Sequence, residues 1–312
     1  MQKHPRILLA LDGSDQSLVA VRYISKVISK QAQTVLLHVA AEIPEAFRDM
    51  NVDRSTGQVE YLLEVWKDHQ NEIVNEFMAK ARAILVYAGF SREAVTVKTQ
   101  PLKSGIVRDI VDESHQDYSA LVVGRTGVSK IDQIRMGSVA SKLVEVAGHI
   151  PLIVVGESPE SQKILIALDG SRGSMRAVNC VGTLLDPAVC EIMLCHVVRP
   201  LSNQQLSTKE LFMQKHEADW IAINQRKILP AINEAKRQLV QAGFSEEEHI
   251  SIEILTYQKS RAAAIAKTAS DGVYRTIVLG RRGLTSAREF NLGRVSRKIL
   301  HFAFQPALWI VN

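Results

Sequence analysis

"RILLALDGSDQS", residues 6–17, and "KILIALDGSRGS", residues 163–174, are two copies of one element. In each copy a short run of apolar residues leads into Asp-Gly-Ser, after which a helical pattern begins. The run Ile7-Leu8-Leu9-Ala10-Leu11 is apolar on both faces, and so is Ala120-Leu121-Val122-Val123 further on. A strand that is apolar on both faces belongs in a parallel sheet covered by helices on either side.

The repetition runs the length of the chain. "TVLLHVA" from Thr34 returns as "EIMLCHVVR" from Glu191, and "AGFS" at Ala88 returns at Ala242. "ALVVGRTG" at Ala120 matches "TIVLGRRG" at Thr276, and "HIPLIVV" at His149 matches "QPALWIV" at Gln305. The offsets stay between 154 and 158 residues, so one unit is written twice. The spacing predicts two domains, 1–156 and 157–312, joined near Gly156–Gln162. In the first, strands are expected near 6–11, 34–40, 94–99, 119–124 and 151–155, and helices near 15–30, 58–88, 104–116 and 137–148. The predicted fold is α/β, with two similar open-sheet Rossmann-like domains. Each would have a mostly parallel five-stranded sheet in the order 3-2-1-4-5. Pro230 falls inside the second copy's long helical pattern, where it is expected to kink or divide it. Two apolar last strands, 151–155 and 307–311, would each be an exposed edge. Their antiparallel pairing, an intrachain pseudo-dimer, is the expected solution, with a further homodimer left open.

A chain of 312 residues, 46% apolar and 23% charged, is long enough for two cores. The first apolar stretch ends at Asp12, too short for a signal-peptide core or a span; the expected address is the cytoplasm, with no membrane partner. Cys180, Cys190 and Cys195 sit in apolar contexts without metal-ligand spacing and read as core filler. Residues 1–156 carry 18 basic and 18 acidic residues, whereas 157–312 carry 20 against 15. Seven of the basic residues lie in 275–298, with Glu289 as the one acidic residue there. That stretch is either a solvated face or an anion site.

In an open parallel sheet, ligands bind beyond the carboxyl ends of the strands where strand order reverses. Asp12-Gly13-Ser14 ends the first strand and Gly124 ends the fourth, so the predicted order makes them neighbours. Gly124 and Gly127 permit a tight turn and close approach to backbone N–H groups. Gly137-Ser138 then opens a helix, and a helix N-terminus with free N–H groups and a hydroxyl suits an anion, phosphate above all.

With these residues in place, the chain resembles a tandem universal stress protein. That family's ATP-binding signature is G-x2-G-x9-G-(S/T), which Gly124, Gly127, Gly137 and Ser138 fit without a gap. The resemblance covers nearly the whole chain, once per copy. It implies a stress-response regulatory protein that binds an adenine nucleotide, ATP or AMP. It further implies that Asp12 and Val39 contact the ribose and adenine side, and that Ala10 and Val123 line the base pocket. Gly127, Gly137, Ser138 and Val139 would hold the phosphates, with Mg²⁺ or Mn²⁺ accompanying ATP in some members.

The second copy keeps Asp169, Val197, Gly280, Gly283 and Gly293 but has Arg294 at the Ser/Thr place. A cation at a helix N-terminus opposes the dipole unless an anion compensates it. That anion would be a ligand phosphate or Asp169, and in the second case the arginine plugs its own pocket.

Enzyme readings find little support. "DGSDQS" distantly resembles the SGGxDS loop of ATP pyrophosphatases but lacks the leading Ser-Gly-Gly. His38, His149 and His196 have no Ser or Cys partner in repeated register. Slow ATP hydrolysis is the alternative activity, with no assignable proton acceptor. An interaction surface for nucleic acid or another anionic partner through 275–298 is the other alternative, weakened by having only Tyr274 and Phe290 close by for stacking. The sequence does not name a protein partner.

Overall fold

A computed structural model describes residues 4–40, 58–127, 136–157, 160–200, 210–284 and 291–312. Ser158 and Pro159 of the joining segment, and Arg288, Glu289 and Phe290 of the basic stretch, lie outside the described residues. The first half runs β1 (Arg6–Ala10), α1 (Asp15–Val27), β2 (Gln33–Val39), α2 (Gln58–Tyr87), β3 (Val95–Gln100), α3 (Ile106–Ser114), β4 (Ala120–Gly124), α4 (Ser138–Val146) and β5 (Leu152–Val155). The second repeats it: β6 (Lys163–Ala167), α5 (Arg172–Leu184), β7 (Glu191–Val197), α6 (Glu210–Gln241), the short α7 (Glu246–His249), β8 (Ile250–Leu255), α8 (Arg261–Asp271), β9 (Thr276–Gly280), α9 (Arg294–Phe302) and β10 (Ala307–Val311).

Each half has the strand order expected from the sequence, and the two halves form one ten-stranded sheet, β3-β2-β1-β4-β5-β10-β9-β6-β7-β8. All pairings are parallel except the central one, where β5 and β10 run antiparallel with Leu308 opposite Val154, Trp309 opposite Ile153 and Ile310 opposite Leu152. The two strands that each half alone would leave as an apolar edge therefore cover one another.

The strands read as apolar on both faces because both faces are covered. Ile7 and Leu9 point into one core layer with Tyr23, Val122, Ile153 and Trp309, and Leu8 points into the other with Leu121, Leu143, Leu152 and Leu308. Each layer draws side chains from both halves, so the core is continuous across the central strand pair. Further ties cross the joint: Ile28 bridges Leu185, Ser29 N donates to Leu184 O at 3.0 Å, and Asp186 N donates to Val27 O at 2.9 Å.

Pro230 does not divide the long helix, contrary to one of its two expected effects; α6 runs through it from Glu210 to Gln241. Ile228 on one side and Ile232, Ala235 and Leu239 on the other are all buried against the core. Packing on both sides holds the helix across the missing N–H, since tertiary burial contributes most of a helix's stability in a protein. Among the described residues, no helix is long and apolar enough to cross a membrane.

Candidate functional site

The carboxyl ends of β1 and β4 bring the first half's glycine motif and Asp12 together. Ala10 and Val123 are register partners on these strands, and Val39 ends β2 one strand further out. Asp12 stands exposed beyond β1. Its Oδ1 accepts from Ser14 N at 3.1 Å, from Ser14 Oγ at 2.6 Å and from Ser17 Oγ. The other oxygen, Oδ2, lies against Gly127, where a Cβ would come within 2.6 Å of it. A side chain at the second glycine of the motif would therefore displace the Asp12 carboxylate that shares the site.

Gly137 differs. Its φ is −66°, open to any residue, and among the described residues a Cβ there would meet nothing nearer than Gly127 N and Thr126 Cα at 3.5 Å. Its N–H donates to Arg125 O at 2.9 Å, which ties the Gly124–Gly127 turn to the start of α4. No side chain caps α4, whereas Ser14, Ser171 and Ser260 accept from the first turns of α1, α5 and α8. Gly105 before α3 and Gly293 before α9 are likewise without a side-chain cap. Among the described residues, the first N–H groups of α4, carried by Ser138, Val139 and Ala140, meet no capping side chain at the end of the Gly124–Gly127 turn, and Ser138 is exposed.

The second half repeats this frame. A Cβ at Gly283 would come within 2.5 Å of Asp169 Oδ2, and Gly293 N donates to Arg281 O at 2.8 Å. Val197 ends β7 as Val39 ends β2, and Gly280 ends β9. The expected pairing of Arg294 with Asp169 is not found: no ion pair joins them among the described residues, and Arg294, the first residue of α9, is exposed. Asp169 is served by backbone, with Oδ1 accepting from Ser171 N at 3.0 Å and Oδ2 from Leu284 N at 3.2 Å. A carboxylate already supplied by two N–H groups gains little from a distant guanidinium, and the plug is not formed.

Two arginines outside the sequence-based set prove structural. Arg125 and Arg281, the second residues of the two glycine motifs, are buried, so one of the seven basic residues in 275–298 leaves the surface. Arg275 Nη1, from the same stretch, donates to Gln305 Oε1 at 2.6 Å. Two more arginines gather near Asp169. Arg199 follows β7 by two residues, and Arg261 opens α8 with its Nε donating to Val197 O at 3.4 Å. Aligning the two halves residue by residue would have found them, since neither has a basic counterpart in the first half.

The histidines are structural at the strand ends. His38 Nδ1 bonds Leu11 O at 2.9 Å and His196 Nδ1 bonds Leu168 O at 2.7 Å; burial holds the His196 imidazole below its usual range. His149 Nε2 does meet Ser114 Oγ at 2.9 Å, but that hydroxyl also bonds Val111 O within its own helix, and the pair has no copy in the second half. The three cysteines are buried and unpaired, their thiols pushed up to about 12 by burial. Among the described residues, no group of three or more His, Cys, Asp or Glu side chains could hold a metal ion. Among the described residues of this turn, a Mg²⁺ or Mn²⁺ would find the single carboxylate of Asp12, one of whose oxygens is already taken by three donors, so these residues do not form a resident metal site.

Comparison with known proteins agrees with this frame. The family model described as "Universal stress protein family" matches twice, over residues 4–156 and 160–310. The universal stress protein YxiE of Bacillus subtilis (strain 168) is 27% identical over 153 residues, covering 47% of this chain and 96% of its own length. Among solved structures, a universal stress protein from Archaeoglobus fulgidus DSM 4304 superimposes with a TM-score of 0.56 at 18% identity, covering 98% of this chain and 96% of its own. A putative universal stress protein from Pseudomonas aeruginosa UCBPP-PA14 does so with a TM-score of 0.50 at 16% identity, covering 99% and 94%. With both halves matched by the same family model, the chain belongs to the universal stress protein family, whose unit it carries twice.

Proposed function

We propose that the chain is a nucleotide-responsive stress protein of two domains, 1–156 and 157–312, whose first domain holds an adenine nucleotide, ATP or AMP. The observation that carries this reading is the N-terminus of α4. Among the described residues its first N–H groups have no side-chain cap beside a turn lined by Asp12, and neither the φ of Gly137 nor its described neighbours call for glycine there. A bare backbone that the fold does not require is what a phosphate needs in order to reach the N–H groups. Ala10, Val39 and Val123 would wall the base, Asp12 would take the ribose hydroxyls, and Gly127, Gly137, Ser138 and Val139 would receive the phosphates. A divalent ion would add charge neutralisation if it arrived with the phosphates. Slow ATP hydrolysis is the alternative activity, with no proton acceptor assigned.

Native mass spectrometry and calorimetry test it. The parent should retain or bind one adenine nucleotide in the first domain, and Gly137→Val should weaken binding at least a hundredfold while the unfolding midpoint moves by only a few degrees. Equal affinity in the two proteins would remove the site assignment.

A further inference from the structure

The second domain's site differs from the first at three places, not one. Arg199, Arg261 and Arg294 occupy positions that fall on Ala41, Ile106 and Ser138 in the first copy. They come from three separate elements. Arg199 lies beyond β7, its carbonyl accepting Trp220 Nε1 at 3.0 Å. Arg261 opens α8 and reaches Val197 O, and Arg294 opens α9 behind the uncapped Gly293. All three stand at the carboxyl ends of the parallel strands, around Asp169. Partial burial first, then Arg199 and Arg294, hold the Arg261 guanidinium below its usual range, while Asp169 opposes the shift. Arg199 Nε is buried and meets no acceptor among the described residues.

We propose that this site takes a phosphate-dense anion, recognised through two or more linked phosphates and not through a purine base. Among the described residues, three guanidinium groups against one carboxylate leave an excess of positive charge, gathered at a helix N-terminus where cations are disfavoured until an anion arrives. Guanidinium forks match phosphate oxygens two at a time, and three forks on different elements match several phosphates better than one. The base side argues the same way, because Arg261 stands at Val197, the counterpart of the residue assigned to the adenine side in the first domain. The inference rests on reading the second site as the counterpart of the first.

The test is calorimetry on the full chain with inorganic tripolyphosphate, ATP and AMP at two salt concentrations. The parent should bind one tripolyphosphate, with affinity falling steeply as salt rises, and Gly137→Val should leave that binding unchanged. Arg261→Gln and Arg294→Ser, both at exposed residues and checked by an unchanged unfolding midpoint, should each weaken it about tenfold or more. Arg199→Gln should do the same, and if it lowers the unfolding midpoint the other two decide. ATP should bind this site about as well as tripolyphosphate, and AMP at least tenfold less well. Absence of tripolyphosphate binding, indifference to the arginine variants, or a site that prefers AMP or binds ATP a hundredfold more tightly than tripolyphosphate would overturn the inference. Arginine-dependent tripolyphosphate binding in a chain whose first domain takes no nucleotide would leave it standing and remove only the reading of the first domain.

Discussion

Arg125 and Arg281 cross the joint between the halves in opposite directions, each ending on the carbonyls that close the other half's last helix. Arg281 donates to Val144 O at 2.8 Å and Ala147 O at 3.2 Å, and its Nε to Asn312 Oδ1 at 2.7 Å. Arg125 donates to the equivalent Leu300 O and to Ala303 O, at 3.2 Å for the latter, with its guanidinium 5.5 Å from the ring centre of Phe304. Cations at helix C-termini satisfy orphan carbonyls and suit the dipole. Removing one leaves several buried carbonyls unpaired, so Arg281→Ala should cost about 3 kcal/mol in urea unfolding. The adjoining Arg282, which is exposed, should change stability by no more than about 0.5 kcal/mol when truncated. Similar losses from the two variants would show that the buried arginine is not a structural tie.

Gly127 and Asp12 form a second pair that a substitution can separate. Gly127→Ala would push a methyl group into Asp12 Oδ2, so the carboxylate must leave the hydroxyls of Ser14 and Ser17. The expected loss is about 1–2 kcal/mol from displaced charged hydrogen bonds. Asp12→Gly should absorb most of it, because the clash has gone. A double-mutant cycle checks this. Additive losses would mean that Gly127 is constrained by something other than Asp12.

Periodic features were legible and directional ones were not. The double-faced apolar runs, the repeat and the position of the glycine motifs gave the strand order and the central strand pair, because each depends on residues near in sequence or on the copy rule. Gly127 was read from spacing as a turn open to a ligand, and its contact with Asp12 was not legible, since spacing says where a glycine lies and not what faces it. Arg281 was counted as surface charge, yet its partner Val144 is 137 residues away in sequence and only the fold brings them together. Arg294 failed in the same way, its side chain turned to solvent where a contact across the site was expected. Pro230 was judged by local chemistry, and the packing of Ile228 and Ile232 overrode it.

The buried thiols give the stability a dependence on alkaline pH. Cys180, Cys190 and Cys195 are pushed from the usual 9.0 up to about 12 in the folded chain by burial. Above pH 9 the unfolded chain loses these protons and the folded chain keeps them, so the unfolded state binds fewer protons and stability falls as pH rises. The contribution is complete below pH 9 and is lost between about 9 and 12, at up to about 1.4 kcal/mol per pH unit for each thiol. Replacing all three with alanine should lower stability at pH 7.5 through the cavities left, yet flatten its decline between pH 9 and 10.5. Parallel declines in urea unfolding would remove the thiols as the cause.

Tyr23, Thr276 and Trp309 form a buried polar chain that fastens α1 of the first half to β9 and β10 of the second. Trp309 Nε1 can only donate, and it does so to Tyr23 Oη at 2.7 Å; Tyr23 Oη and Thr276 Oγ1, 2.8 Å apart, share a further hydrogen bond in which either hydroxyl can donate. Trp309 and Thr276 are fully buried and Tyr23 is 1% exposed, so no water can replace a lost partner. Tyr23→Phe keeps the ring but leaves the indole N–H unpaired in the core, which should cost about 2 kcal/mol. Thr276→Val removes only the hydroxyl at the end of the chain, and about 1 kcal/mol is expected. With both changes the loss should fall short of the sum, because Tyr23→Phe has already removed the bond that Thr276→Val would break. Since both core layers pass through the joint, the variants should still unfold in one transition, followed by tryptophan fluorescence and circular dichroism together. Two separated transitions in Tyr23→Phe would show instead that this polar chain, and not the shared core, holds the halves as one folding unit.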